Sequence, residues 1–341
     1  MKVRSKSPLR LGLAGGGTDV SPYSDEFGGC VLNATINLYA YCTIETITDG
    51  IEFVASDLNK NLKADSSKLI PLSGELLLHK AVYNRVVKDF CNGKGFPVRV
   101  TTFSDAPPGS GLGSSSTMVV AMLKAYQQFL NLPLGEYDLA HLAYEIERVD
   151  CKLSGGKQDQ YATAFGGFNF MEFLHDDKVI VNPLRIRSHI INELESQMLL
   201  YFTGISRDSA KIIDDQIRST SGSENDTLLS MHEVKALSFK MKESLLKSDI
   251  PSVSAIINDA WLAKKKTSMS ISNPILDEIC DQAFKSGAIS LKVSGAGGGG
   301  FMMIFVNPED RLSLIESFSR FDGYFSKFNF TNEGSESWLV A

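Results

Sequence analysis

Three glycine-rich segments constrain this chain more than any other feature: Gly15-Gly16-Gly17, Gly109-Ser-Gly-Leu-Gly-Ser-Ser-Ser116 and Gly295-Ala-Gly-Gly-Gly-Gly300. Each follows a stretch with the β-branched and apolar pattern of a strand. Glycine has no Cβ and reaches positive φ at little steric cost, so such segments make tight turns or wrap a backbone around an anion. The middle segment also opens a helix. There, unpaired N–H groups, the positive end of the helix dipole and the hydroxyls of Ser114, Ser115 and Ser116 converge where the loop turns. A single loop of this kind reads as a turn, but three at strand ends in one chain point to a phosphate cradle, here spanning Pro108, Gly109, Ser110, Gly111, Leu112, Gly113 and the three serines. Two familiar phosphate loops are excluded. Ser114 stands where a P-loop needs lysine after Gly113, and a dinucleotide fingerprint would need glycine at that same position.

At ~150 residues per domain, 341 residues suggest two domains. The expected division falls near residue 187, giving 1–187 and 188–341. A net charge of −6 offers no global positive field to collect nucleic acid or anionic lipid, so any bound anion must be held locally. No apolar stretch approaches the roughly 20 residues of a membrane span; Phe301 to Val306 is among the longest. Arg10 interrupts the apolar part of the start that a secretory signal would need, and five scattered cysteines show neither a disulfide framework nor C-x-x-C zinc spacing. A cytoplasmic protein with reduced thiols is expected.

Extended segments are expected at 2–13, 30–56 and 97–103, with helices over 75–91, 114–131 and 137–150. A strand containing Phe168, Phe170 and Phe173 closes the first half. Beyond it come strand 198–203, helix 209–219 and the polar tract SGSEND, read as a surface loop. Asn273-Pro274 begins a helix, with asparagine as its cap, and Gly287 ends it. A final strand lies near Trp338.

Lys157-Gln158-Asp159-Gln160 follows Gly155-Gly156. An aspartate beside a lysine in a glycine-framed turn can take a proton from a substrate hydroxyl; the alternative is an acid at a helix start with a solvated neighbour. Glu147 with a Ser114 or Ser115 hydroxyl can hold Mg²⁺, which takes few protein ligands, or it can simply pair with Arg148 or Lys152. Ser154-Gly-Gly-Lys157 lacks the S-D-N and K-T-G partners of its serine-hydrolase pattern. His232-Glu233 lacks a second zinc histidine, and neither H-R-D nor D-F-G occurs.

Together these elements resemble the GHMP small-molecule kinases over nearly the whole chain. The first family motif is similar to Ser7-Pro-Leu-Arg10-Leu-Gly-Leu-Ala-Gly-Gly-Gly-Thr-Asp19, the second to Pro107-Pro-Gly-Ser-Gly-Leu-Gly-Ser-Ser115 and the third to Lys292-Val-Ser-Gly-Ala-Gly-Gly-Gly-Gly300. The catalytic G-x-x-D-Q segment matches Gly156-Lys-Gln-Asp159-Gln160. The resemblance implies a two-domain α+β fold, with a left-handed β-α-β unit in the N-terminal domain and a ferredoxin-like C-terminal domain, and ATP in the cleft between them. Carried over, Asp159 is the base and Arg10 and Lys157 are its cationic neighbours. Ser115 and Glu147 become Mg²⁺ ligands, Asp19 accepts a sugar hydroxyl, and Gly16, Gly17, Thr18, Gly295, Gly297 and Gly298 line the substrate side.

Within the family, G-G-G-T-D and G-G-K-Q-D-Q-Y are most similar to the forms in bacterial D-glycero-D-manno-heptose 7-phosphate kinases. Gly16-Gly17 replaces the acidic and histidine residues of galactokinases, and fucokinases share parts of the pattern. The resemblance therefore implies an ATP- and Mg²⁺-dependent kinase acting on the anomeric hydroxyl of a phosphorylated sugar, with no nucleic-acid or membrane partner; a homodimer is compatible with it. The alternative from another class is a nucleotide-binding sensor without turnover, against which the joint presence of Arg10, Glu147 and Asp159 argues. For the sugar's own phosphate, the run Gly204-Ile-Ser206-Arg207-Asp-Ser209 between a strand and a helix offers free N–H groups and Arg207. Its alternative is a plain helix cap formed by Asp208 or Ser209.

Overall fold

The computed structural model describes residues 1–206, 209–221 and 225–341. The chain opens with strand β1 (Lys2–Ala14), a short helix α1 (Tyr23–Phe27) and the long strand β2 (Gly29–Thr46), which returns antiparallel to β1. A hairpin of β3 (Ile51–Ala55) and β4 (Lys60–Ala64) leads through helix α2 (Leu77–Phe90) to β5 (Val98–Ser104), which lies parallel to β3. This crossover is the β-α-β unit of the first domain. Helices α3 (Ser114–Leu130), α4 (Glu136–Glu145) and α5 (Gln158–Phe165) precede a second hairpin, β6 (Phe168–Phe173) and β7 (Val179–Pro183). β2 serves two half-sheets at once: its Gly29 to Ala34 half pairs with β6 and its Ala40 to Thr46 half with β5. β1 runs along both halves, with register shifts after Pro8 and Gly12 that let it follow the bend.

The second half begins with α6 (Ser188–Gln197) and β8 (Met198–Phe202), followed by α7 (Ser209–Ser221), α8 (Asn225–Leu246), α9 (Ile250–Lys265) and α10 (Pro274–Lys285). Then come β9 (Ala288–Val293), β10 (Phe301–Val306), α11 (Arg311–Ser317), β11 (Tyr324–Ser326) and β12 (Glu336–Leu339). Four of these strands form a sheet in the order β11-β8-β10-β9, every neighbour antiparallel. Numbered within the domain, that order is fourth, first, third, second, the ferredoxin-like arrangement. The Asn273 side chain caps α10 by accepting the Leu276 N–H at 3.0 Å, as its Asn-Pro start predicts. Of the SGSEND tract, residues 222–224 lie outside the described residues. The tail leaves the second sheet: β12 pairs with β1, Val3 facing Leu339, so the last residues belong to the first sheet although they follow the expected division near 187.

The all-apolar run Phe301 to Val306 has a simple explanation. β10 is a central strand covered on both faces, and alternate side chains enter different cores. Phe301, Met303 and Phe305 join Leu9, Leu11 and Leu13 of β1, Leu200 of β8 and Met241 of α8 in one cluster. Met302, Ile304 and Val306 pack with Trp261, Leu276 and Leu291 in another. The first of these clusters draws residues from both halves, so the two domains share a continuous apolar seam. A third core lies between the first sheet and α2, α3 and α4, with Phe53, Tyr83 and Tyr126 fully buried.

His79 sits in that third core, its Nε2 2.8 Å from the Thr102 hydroxyl. Burial pushes its pKa from 6.5 down to about 4, so the folded protein holds it neutral. The stability this contributes is complete above pH 6.5 and is lost as pH falls towards 4, a span worth about 3 kcal/mol at ~1.36 kcal/mol per unit. Thermal melts from pH 7 to pH 4 should therefore fall less steeply in His79→Gln than in wild type; parallel slopes would contradict the assignment.

Candidate active site

The site grows from the C-terminal half of β1. Arg10 is 3% exposed, and both its Nε and Nη2 lie 2.7 Å from Asp159 Oδ1 while Nη1 donates to Gly111 O at 2.7 Å. One guanidinium thus ties the first motif to the second glycine loop and to the start of α5. It engages a single carboxylate oxygen, leaving Asp159 Oδ2 towards α3: a Cβ on Gly113 would lie 3.1 Å from that atom. Gly113 has φ +78° and leads directly into the helix, so glycine here meets both a backbone and a space requirement.

At the start of α3, the first-turn N–H groups have no carbonyl four residues behind them and are available to an anion. Ser114 and Ser110 share a hydroxyl contact of 3.0 Å. Ser115 Oγ donates to Glu147 Oε1 at 3.0 Å, and Gln160 Nε2 donates to Glu147 Oε2 at 2.6 Å and to Ser116 Oγ at 3.1 Å. Glu147, expected near the end of an ordinary helix, lies instead on a π-helical turn, Ile146–Asp150, in which Cys151 N–H reaches Ile146 O at 2.9 Å. The widened turn carries Glu147 and Arg148 beside the cleft. A hydroxyl next to one carboxylate oxygen is a donor set that fits Mg²⁺, an ion content with one or two protein ligands. Among the described residues no group of three His, Cys, Asp or Glu side chains forms a fuller metal site.

Asp19 is 1% exposed and accepts the Gln158 N–H at 3.0 Å, the Gly17 N–H at 3.2 Å and Gln158 Nε2 at 3.4 Å. Burial raises its pKa, with the Asp159 charge adding to the rise and the backbone donors opposing it. A Cβ on Gly156 would collide with the Asp19 carboxylate, which explains the glycine just before Lys157. Lys157 departs from expectation. Its ammonium is not beside Asp159 but paired with Asp177 on the β6–β7 hairpin. Among the described residues, Arg10 alone pairs with Asp159.

The third glycine loop seats on the second. Gly111 O accepts Ser294 Oγ at 3.0 Å in addition to Arg10, Phe301 N–H reaches Ser110 O at 2.7 Å, and a Cβ on Gly295 would lie 2.7 Å from Gly111 O. Lys264 Nζ donates to Gly295 O at 2.6 Å, and Lys292 Nζ to Gly12 O at 2.7 Å and Leu13 O at 3.1 Å. Burial first, then the positive charges of Lys264 and Arg10, push the Lys292 ammonium well below the usual lysine range. Neither lysine was expected to be part of the site, although Lys292 begins the third motif.

These pieces enclose a cleft of about 300 Å³ between the two domains. Arg10, Gly17, Asp19, Gly109, Gly111, Gly113, Ser114, Ser115, Ser116, Glu147, Asp159 and Gly295 line it, as do Arg148, Gln158, Gln216 and Lys264, which sequence reasoning missed. Other expected residues support the wall instead. The Thr18 hydroxyl bonds Gly15 O and Cys30 O, Leu112 is fully buried, Gly298 bonds Ile271 O through its N–H, and a Cβ on Gly297 would strike Ile271. The Pro108 carbonyl accepts Ser206 Oγ at 2.5 Å. Gly16 sits beside Gln158 and Lys264. Arg207 lies outside the described residues.

Known proteins match this arrangement. Residues 78–167 match the family described as GHMP kinases N terminal domain, and residues 241–322 match GHMP kinases C terminal. The chain is 48% identical to D-glycero-alpha-D-manno-heptose 7-phosphate kinase of Campylobacter jejuni over 99% of both chains. A bifunctional fucokinase/GDP-fucose pyrophosphorylase of Arabidopsis thaliana is 27% identical over 94% of this chain and 32% of its own length. Among solved structures, a D-glycero-D-manno-heptose 1-phosphate kinase from Bacteroides thetaiotaomicron superposes with a TM-score of 0.85 at 45% identity, covering 99% of each chain. With both domains matched and a relative of this identity aligned end to end, the chain belongs to the GHMP kinases.

Proposed function

We propose that this chain transfers the γ-phosphoryl group of ATP to the anomeric hydroxyl of D-glycero-D-manno-heptose 7-phosphate, giving the 1,7-bisphosphate. The observation that carries the reading is Asp159: its Oδ1 is held by Arg10 and its Oδ2 faces the helix start where phosphate would sit. The heptose comes from the C. jejuni relative named for it, aligned over 99% of both chains. In the reaction the sugar oxygen attacks the γ-phosphorus, the bond from that phosphorus to the bridging oxygen breaks to release ADP, and the hydroxyl proton passes to Asp159. Arg10 orients the carboxylate, and the amides and hydroxyls at the start of α3 hold the triphosphate, so the protein works by positioning and charge placement.

Ser115 and Glu147 would hold Mg²⁺, which when bound offsets charge on the phosphate oxygens. Asp19 is assigned to a sugar hydroxyl. Arg207 is assigned to the distal phosphate; it precedes α7, whose Ala210, Ile213 and Gln216 line the cleft. A cytoplasmic location suits a substrate of this kind, and no helix among the described residues is long and apolar enough to cross a membrane.

Variants separate these roles. Asp159→Asn should keep ATP affinity and lose kcat by roughly 10² to 10⁴, the range for a positioned base. Ser115→Ala and Glu147→Gln should instead raise the Mg²⁺ concentration needed for half-maximal rate. Wild-type turnover in the first, or unchanged magnesium titrations in the other two, would remove those residues from their roles. Arg207→Ala should raise KM for the sugar phosphate and leave KM for ATP unchanged, since only one substrate loses a contact. Equal losses for both substrates would sink the Arg207 assignment.

A further inference from the structure

The β6–β7 hairpin turns through His175-Asp176-Asp177-Lys178, with Lys178 N–H reaching His175 O at 3.4 Å and Leu174 N–H reaching Lys178 O at 2.8 Å. Asp176 and Asp177 both have positive φ, +58° and +60°. This is the two-residue turn with mirror-image geometry, in which the second central position favours glycine. Aspartate tolerates this left-handed backbone better than most side chains, but glycine fits the second central position with least strain, so the carboxylate at Asp177 invites a reason elsewhere in the fold.

That reason is Lys157. Its side chain is 5% exposed although it follows two glycines at the edge of the cleft, and its ammonium pairs with Asp177. The same ammonium lies 5.5 Å from the centre of the Tyr144 ring. Among the described residues, no lysine or arginine other than Lys157 forms an ion pair with Asp177; the His141 ring lies 3.9 Å from its second oxygen. Lys157 is also the residue from which α5 starts. The next N–H, that of Gln158, binds Asp19, and the residue after that is Asp159 on Arg10. On the other side, Arg148 Nη2 holds Gly156 O at 3.2 Å. Without Asp177 the buried ammonium is uncompensated, and its lowest-cost escape is towards water, taking the first turn of α5 with it.

We propose that Asp177 is a positioning residue for phosphoryl transfer. Through Lys157 it fixes the start of α5, so that Asp159 and Gln158 keep their contacts with Arg10 and Asp19. The inference rests on the reading of Asp159 as the base, while the tether itself does not.

Asp177→Gly is the discriminating variant, because it removes the carboxylate and relieves the turn together. In the full-length enzyme its thermal midpoint should change little, because relief of the turn offsets part of the cost of the unpaired Lys157 ammonium. Its kcat should fall about 10- to 100-fold, the cost of a misplaced reacting group, with KM for ATP within about twofold of wild type. Adding Lys157→Met should cost no further rate, since both changes break one interaction. In the ligand-free protein, amide hydrogen exchange over residues 155–161 should accelerate in Asp177→Gly while the α3 core stays protected. Wild-type kcat overturns the proposal, as does a rate loss accompanied by a lowered midpoint and faster exchange throughout, which marks a merely structural role. If wild type phosphorylates no sugar, the functional reading fails separately, and unchanged exchange over 155–161 then overturns the tether.

Discussion

The carbonyl of Gly111 is where the site is joined. It accepts Arg10 Nη1 from β1 at 2.7 Å and Ser294 Oγ from the end of β9 at 3.0 Å, so its two lone pairs are divided between the two domains. The same guanidinium holds Asp159. Loss of Arg10 would leave a buried carbonyl and a carboxylate short of donors at once, and the second and third glycine loops would lose their shared tie to β1. The close approach of Gly295 to the Gly111 backbone and of Gly113 to the Asp159 side chain follows from this convergence, since a Cβ would fall 2.7 Å from Gly111 O at the first and 3.1 Å from the Asp159 carboxylate at the second.

The apolar seam makes such precision affordable. Leu9, Leu11 and Leu13 of β1 share one cluster with Phe301, Met303 and Phe305 of β10, so the strand that carries Arg10 and the strand that follows the third glycine loop belong to one core. An interface of this kind resembles a domain interior more than a hinge. β12 adds to this by returning the tail to β1. Lys292 belongs to the same construction. Its buried ammonium bonds the Gly12 and Leu13 carbonyls where β1 breaks register, satisfying groups that a regular strand would have paired.

Much of this was legible from residue patterns. Glycine spacing marks the loops because their backbone requirements admit few alternatives, and the apolar period marks α3 because that helix packs one face on a sheet. The cap of α10 is read from Asn273-Pro274. What escaped has definite causes. Lys157 and Asp159 are near neighbours in sequence, yet around a helix start two residues apart point to different sides, so one reaches the hairpin and the other the cleft. The π-helical turn at Glu147 leaves no mark in hydrophobic spacing. Lys264, at the end of the largely buried α9, and Arg148, on the π-helical turn, reach the cleft through tertiary packing that no spacing in the sequence marks.

The central claim is that this geometry adds a phosphoryl group to the anomeric oxygen of an already phosphorylated heptose. Phosphorus NMR of the product formed from MgATP and D-glycero-D-manno-heptose 7-phosphate tests it most directly. The account predicts a second sugar phosphorus coupled to the anomeric proton, appearing as ADP accumulates. A new phosphate on any other carbon, or turnover of unphosphorylated sugars such as fucose in preference to the heptose phosphate, would contradict it.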